Sequence, residues 1–126
     1  MIEKKNFYIN GKWVSPTKPN DFEVINPSTE EAFAIISLGS AEDADKAINA
    51  AKIAFETWRE TTKEERLALL EKFDEIYNRR WDEMVEAQSK EMGAPLDFAS
   101  ETHTKMGADI CRNNIEILKD FNFEHQ

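Results

Sequence analysis

Cysteine is nearly absent from this chain. The single residue Cys111 among 126 leaves no partner for an internal disulfide and no Cys-x-x-Cys pair to hold zinc or exchange thiols. Glycine is scarce as well, and the four glycines at positions 11, 39, 93 and 107 never reach Gly-x-Gly-x-x-Gly or Gly-x-x-x-x-Gly-Lys spacing. A backbone loop that cradles phosphate is thereby excluded. The two histidines, His103 and His125, stand 22 positions apart with no close second ligand pattern, which argues against a designed metal site. Basic residues are outnumbered, 16 against 25 acidic, and the formal charge of -9 repels phosphate backbones and anionic lipid. Nucleic acid and membrane are therefore poor partners. No apolar stretch approaches the roughly 20 residues needed to span a bilayer, and Met1-Ile2-Glu3-Lys4-Lys5 lacks the apolar run of a secretion signal. The expected location is cytoplasmic.

What is present is a chain of single-domain length, 40% hydrophobic and 33% charged, long enough to bury a modest core. Asn10-Gly11 sits between Phe7-Tyr8-Ile9 and Lys12-Trp13-Val14. That is a hairpin signal, because a two-residue type I′ turn needs positive φ at both central positions. Residues 15–21 carry two prolines with Asn and Asp and read as a loop. Residues 22–25 and 32–37 form a second, looser hairpin around Asn26-Pro27-Ser28-Thr29.

Helical signals follow. Ser40 is an N-cap with acidic residues behind it, and Ala44, Ala47, Ile48, Ala51, Ala54, Phe55 and Trp58 recur at three- and four-residue steps as one apolar face. Thr62-Lys63-Glu64-Glu65 is a capping box that opens a long second helix ending at Gly93, with Pro95 beyond it. A third helix is expected from Leu96 toward Phe121, with Met106, Ile110, Ile117, Leu118 and Phe121 as its face. The expected fold class is α+β: N-terminal β-hairpins over 1–39, then three amphipathic helices over 40–121.

Few residues here invite chemistry. A nucleophilic cysteine needs its pKa lowered by a cation, a histidine or a helix N-terminus. Cys111 lies mid-helix, and His103 is eight residues, about 12 Å, along the same axis. Packing is the favoured reading of Cys111. Asp74-Glu75 and Asp82-Glu83 are sequence neighbours that point in different helical directions, so they read as solvated charge. Trp13, Trp58 and Trp81 fall in a strand or on apolar helix faces, where core or interface packing is favoured over stacking on a ligand.

Taken in order, Tyr8-Ile9-Asn10-Gly11-Lys12-Trp13-Val14, Val24-Ile25-Asn26-Pro27-Ser28-Thr29, the helix over 44–58, Glu65-Arg66-Leu67-Ala68-Leu69-Leu70 and Glu91-Met92-Gly93-Ala94-Pro95 resemble the N-terminal stretch of the aldehyde dehydrogenase superfamily. The resemblance covers nearly the whole chain. It implies part of an α/β fold, with residues 1–126 as the N-terminal part of a cofactor-binding domain and the catalytic domain absent. It further implies an oligomeric parent enzyme that oxidises an aldehyde to a carboxylic acid with NAD or NADP, through a cysteine thiohemiacetal, hydride transfer and thioester hydrolysis. The family's nucleophilic cysteine, glutamate base, oxyanion asparagine and cofactor-binding segments all lie beyond this stretch. No catalytic or cofactor-binding residue maps onto the chain, and Cys111 does not match the nucleophile. Some relatives hold a monovalent cation on backbone oxygens before the Asn-Pro and on a carboxylate near the second helix end. In this sequence the resemblance places that role on Val24, Ile25 and Glu91. In the parent the third helix approaches the substrate entrance, so Met106, Ile110 and Ile117 either influence aldehyde choice or pack in the core.

Two functional readings remain open. One is an N-terminal fragment of an NAD(P)-dependent aldehyde dehydrogenase, inactive alone and binding no cofactor by itself. The other is an autonomous helical interaction module of the same descent. Both expect apolar helix faces that meet either the remainder of the parent or a second copy of the chain.

Overall fold

The computed structural model describes residues 1–123, and these fall into two compact units that divide between Glu60 and Thr61. Within the described residues five strands precede the helices, in the order β1 (Ile2–Lys4), β2 (Phe7–Ile9), β3 (Lys12–Val14), β4 (Asp21–Asn26) and β5 (Glu31–Ser37). The helices are α1 (Ala41–Trp58), α2 (Lys63–Arg79), α3 (Trp81–Met92), α4 (Leu96–Phe98) and α5 (Lys105–Asp120), with a π-helical turn over Ala99–Thr104. The α+β class is as the sequence implies.

In the first unit the Asn10-Gly11 turn joins β2 and β3 as expected, with φ of 52° and 74° at the two residues. Tyr8 faces Trp13 across the pair, their rings meeting edge-on at 5.2 Å. The second hairpin, β4 with β5, turns through Pro27 to Glu30. Asn26 Oδ1 accepts from the Ser28 amide at 2.9 Å, and the Asn26 carbonyl accepts from the Glu30 amide at 2.8 Å. Its ladder slips between Val24 and Ile25, whose partners on β5 are Ala34 and Ala32.

One strand has no counterpart in the sequence reading. β1 pairs in parallel with β5, giving a three-stranded sheet of order β1-β5-β4. β5 is central, and its near-continuous apolar run Ala32-Phe33-Ala34-Ile35-Ile36 suits a strand flanked on both sides. β1 is a short exposed edge carrying Glu3 and Lys4, composition that blunts further pairing.

Helix α1 starts on a complete capping box: Ser40 Oγ accepts from the Asp43 amide, and the Asp43 carboxylate accepts from the Ser40 amide. Asp43 also accepts from the Thr17 amide at 2.9 Å and the Thr17 hydroxyl at 2.7 Å, which ties the 15–20 loop to the first turn of the helix.

In the second unit Thr62 and Glu65 form the expected capping box. The expected long second helix is interrupted once, at Arg80, with φ -100° and ψ 23°. Asn78 lies just before the break and donates from Nδ2 to the Asp74 carbonyl at 2.6 Å. A short polar side chain that takes a main-chain carbonyl competes with the helical ladder. Gly93, at φ 70°, ends α3 as a left-handed cap.

The third expected helix is present but divided, because the π turn separates the three residues of α4 from α5. α5 lies antiparallel to α2. Lys63 Nζ reaches the Lys119 carbonyl (2.8 Å), Cys111 Sγ lies 3.8 Å from the Leu70 carbonyl, and the Tyr77 hydroxyl donates to the Thr104 carbonyl (3.1 Å). The partners therefore descend α5 as they ascend α2. The buried residues of this unit are Ala99, Thr104, Ala108, Cys111 and Ile115. The face expected from Met106, Ile110 and Ile117 points the other way, with exposures of 55%, 54% and 63%.

Candidate functional site: apolar helix faces

A catalytic centre needs titratable groups gathered in one place, and the described residues do not supply one. Cys111 is buried against α2. Burial, reinforced by the Asp74 carboxylate, pushes its thiol up from the usual cysteine range. A nucleophilic cysteine requires the opposite shift. His103 sits in the π turn with its ring edge-on to Phe98 at 4.9 Å, and its Nδ1 is buried without a hydrogen bond. His125 lies outside the described residues.

The acidic pairs are solvated or engaged in holding helices together. Arg112 reaches from α5 to Asn78 Oδ1 at 2.7 Å and to Asp74 Oδ1 at 3.4 Å. That Asp74 oxygen has charge compensation from Arg112 but no hydrogen bond. Glu75 pairs with Lys72 and Glu83 with Arg80, contacts that hold both carboxyls below the usual carboxylate range. Among the described residues no group of three His, Cys, Asp or Glu gathers as a metal site.

The residues linked with a monovalent cation are distributed over both units. Val24 and Ile25 are consecutive on β4, at the point where the ladder slips, and such irregularities leave backbone groups out of register. Glu91 is exposed in the last turn of α3, in the second unit.

Of the hollows among the described residues, two bear on function. In the first unit, about 310 Å3 lies between the hairpin residues Phe7, Tyr8 and Ile9 and the helix residues Ser40, Asp43, Ala44 and Ala47. A helix start commonly attracts anions, but here the Asp43 carboxylate already occupies that place. In the second unit, about 560 Å3 lies beside Trp81, Ser100, Glu101, Lys105, Asp109 and Arg112. Of its charges, Lys105 pairs with Asp109, and Arg112 pairs with Asp74 outside the hollow.

The chain's distinctive surface is apolar and uncovered. Along α1 the residues Ala44, Ile48, Ala51, Phe55 and Trp58 recur on one stripe, and every one is exposed, Ile48 by 64% and Phe55 by 55%. On α5 the outward stripe is Met106, Ile110 and Ile117. Of the tryptophans, Trp81 packs inside the second unit against Tyr77 and donates to Ser100 Oγ at 3.0 Å. Trp13 and Trp58 are exposed by 69% and 44%, so core packing does not account for them.

The accessible surface of the chain is 9695 Å2. Two separate compact units of half this mass would together expose about 8,300 Å2 by the usual size scaling. Contiguous exposed apolar surface, such as the α1 stripe, is commonly found at interaction faces.

Comparison with known proteins finds relatives similar in sequence and in fold. The family model described as "Aldehyde dehydrogenase family" matches residues 13–125. A 3-succinoylsemialdehyde-pyridine dehydrogenase of a Pseudomonas species is 40% identical over 125 residues, which is 98% of this chain and 26% of that protein. The crystal structure of an aldehyde dehydrogenase from Bartonella henselae superposes with a TM-score of 0.96 at 54% identity, over 98% of this chain and 26% of that one. A mutant of aldehyde dehydrogenase C from Pseudomonas syringae, in complex with NAD+ and octanal, gives 0.94 at 34% identity, over 97% of this chain and 25% of that one. The chain thus spans about a quarter of the length of the relatives it matches.

Proposed function

The chain belongs to the aldehyde dehydrogenase family, and on that premise we propose that it forms the N-terminal part of the cofactor-binding domain of an enzyme that oxidises an aldehyde to a carboxylic acid with NAD or NADP. By itself the chain is catalytically inert. One observation carries this reading: nearly all of the chain matches only a quarter of each relative. The chemistry agrees with it. Aldehyde oxidation through a covalent thiohemiacetal needs an accessible thiolate, and the chain's thiol is buried with its pKa pushed up. Support for NAD comes from the Pseudomonas syringae relative, which carries NAD+ and octanal.

The test is a graft. The corresponding quarter of the Bartonella henselae enzyme is replaced by this chain, and aldehyde-dependent NADH formation is followed for the graft and for the 126-residue chain alone. Activity in the graft and none in the chain is the expected result. Turnover by the chain alone would falsify the assignment, and so would a folded, soluble graft without activity. Thiol labelling gives a second check: Cys111 should react with a disulfide reagent at pH 8 far more slowly in the folded chain than in guanidinium.

The uncovered stripes on α1 and α5 favour one further reading, an interaction module that functions through those faces. It requires a heterologous partner captured by the purified chain and lost on substitution of Phe55 or Ile110 by glutamate. Association with copies of itself alone argues for the first reading.

A further inference from the structure

Ala99 and Thr104 are both wholly inaccessible, yet they stand five residues apart. An α-helix turns about 100° per residue, so a five-residue step places the second side chain roughly 140° off the face of the first. A π turn brings i and i+5 back to one face. The turn over Ala99–Thr104 does this, with the Lys105 amide donating to the Ser100 carbonyl five residues back. Beyond Thr104 the buried residues Ala108, Cys111 and Ile115 resume α spacing.

Three contacts converge on this turn. Trp81 Nε1 donates to Ser100 Oγ at 3.0 Å, Gln88 Nε2 to Thr104 Oγ1 at 3.4 Å, and the Tyr77 hydroxyl to the Thr104 carbonyl at 3.1 Å. The last depends on an absence one turn further on. A Cβ at Gly107 would lie 3.0 Å from Tyr77 Cζ and nearer still to the hydroxyl, closer than real contacts allow. Gly107 has no positive φ to explain it. Mid-helix glycine is otherwise unfavourable, so its use here is to admit the Tyr77 ring.

We infer that Tyr77 and Gly107 form a register lock: the Tyr77 hydroxyl, seated in the space that Gly107 leaves, holds the π turn in place and so fixes which face of α5 carries Met106, Ile110 and Ile117 outward. Moving the chain by one residue through this turn would rotate α5 by about 100° and carry that stripe off the surface. The lock thus sets the orientation of one of the two uncovered faces, whatever covers it.

The experiment is hydrogen exchange on the full chain, with the amides of α1 as internal reference. Tyr77→Phe keeps the ring and removes the hydroxyl, so amides over 100–109 should exchange about tenfold faster relative to α1, the scale of one hydrogen bond. Gly107→Ala separates the lock from ordinary propensity. Alanine is the better helix former and would slow exchange in an isolated helix, whereas displacement of Tyr77 accelerates it. In a Tyr77→Ala background the same substitution has nothing to displace, so its acceleration should disappear. The lock is overturned if Gly107→Ala slows or leaves unchanged the exchange over 100–109, or accelerates it equally in both backgrounds. Should Gly107→Ala fail to fold, Tyr77→Phe decides alone: unchanged exchange overturns the lock.

Discussion

The two units bury their side chains by different means. In the second unit α2 and α5 interlock over most of their length, and the buried apolar residues Ala99, Ala108, Cys111 and Ile115 all come from the π turn or α5. In the first unit Ala34 is the buried apolar residue among those described, while Ser37 and Asp43 are buried polar ones. Its helix α1 shows almost its entire apolar stripe to solvent. One unit is thus held by packing between its own helices. The other is held by strand pairing and by hydrogen bonds at one helix end, and beyond Ala44, which faces β2, its apolar stripe lacks a counterpart within the unit. The lesson is that apolar content alone does not make a core, because a helix stabilises a fold only by what its apolar face meets.

The hardest test of this contrast is truncation of one isoleucine in each unit. Ile115 is 7% exposed and should cost about 2 to 5 kcal/mol on change to alanine. Ile48, on the α1 stripe, is 64% exposed, and the same change should stay within about 0.5 kcal/mol. Urea unfolding of both variants measures the difference. Equal shifts in midpoint would mean that α1 finds a counterpart in solution that the chain's structure does not contain.

A second test separates uncovered surface from hidden core. Phe55→Glu on α1 and Ile110→Glu on α5 place charge at exposed positions, so both should remain folded while binding of an apolar dye and light scattering fall. Ile115→Glu buries an unpaired charge and should unfold the second unit. If the surface variants associate as the parent chain does, the stripes are not the contact faces.

The sequence exposes the elements whose signals are local. Asn10-Gly11 needs positive φ at two positions, and Ser40 and Thr62 each begin a capping box, so the first hairpin and the starts of α1 and α2 stand at their expected places. Strand β1 is hidden because three residues of mixed polarity become a strand only through a distant parallel partner, β5. The break at Arg80 coincides with the Asn78 side chain taking the Asp74 carbonyl, and no pattern of hydropathy encodes that. The face of α5 was misdirected for a physical reason. The buried side is built mostly of small residues, Thr104 in the π turn and Ala108 and Cys111 on α5, with Ile115 as its one large apolar member among the described residues, while Met106, Ile110 and Ile117 point outward. A periodicity weighted by hydrophobicity finds the outward stripe first. For the candidate site, the packing of Cys111 is legible because it has no activating neighbour in sequence. The extent of uncovered surface is not, since periodicity marks an apolar face without showing whether anything in the chain meets it.

The smallest expected effect concerns pH and sharpens the contrast from the other side. Asp43 accepts four bonds, from the amide and hydroxyl of Thr17 and from the amide and hydroxyl of Ser40. Led by the Thr17 hydroxyl, these hold its carboxyl well below the usual carboxylate range. A carboxyl whose folded pKa is depressed contributes stability that is complete above its unfolded pKa, about 3.9, and is lost as pH falls through the lower folded value. Asp43→Asn turns one oxygen into an NH2 group and leaves two donors without an acceptor. Its melting temperature should fall below that of the parent chain at pH 7, and the gap should narrow below about pH 4 as the parent's own carboxyl is protonated. The packing of Ala108, Cys111 and Ile115 has no ionisation in that range, and the ion pairs along α2 and α5 are largely exposed and contribute little. Acid should therefore release the amides at the start of α1 before those of α5, measured by hydrogen exchange at pH 3 with rates corrected for intrinsic exchange. Simultaneous release of both helices would show that the first unit is held by more than its strand pairing and the bonds at one helix end.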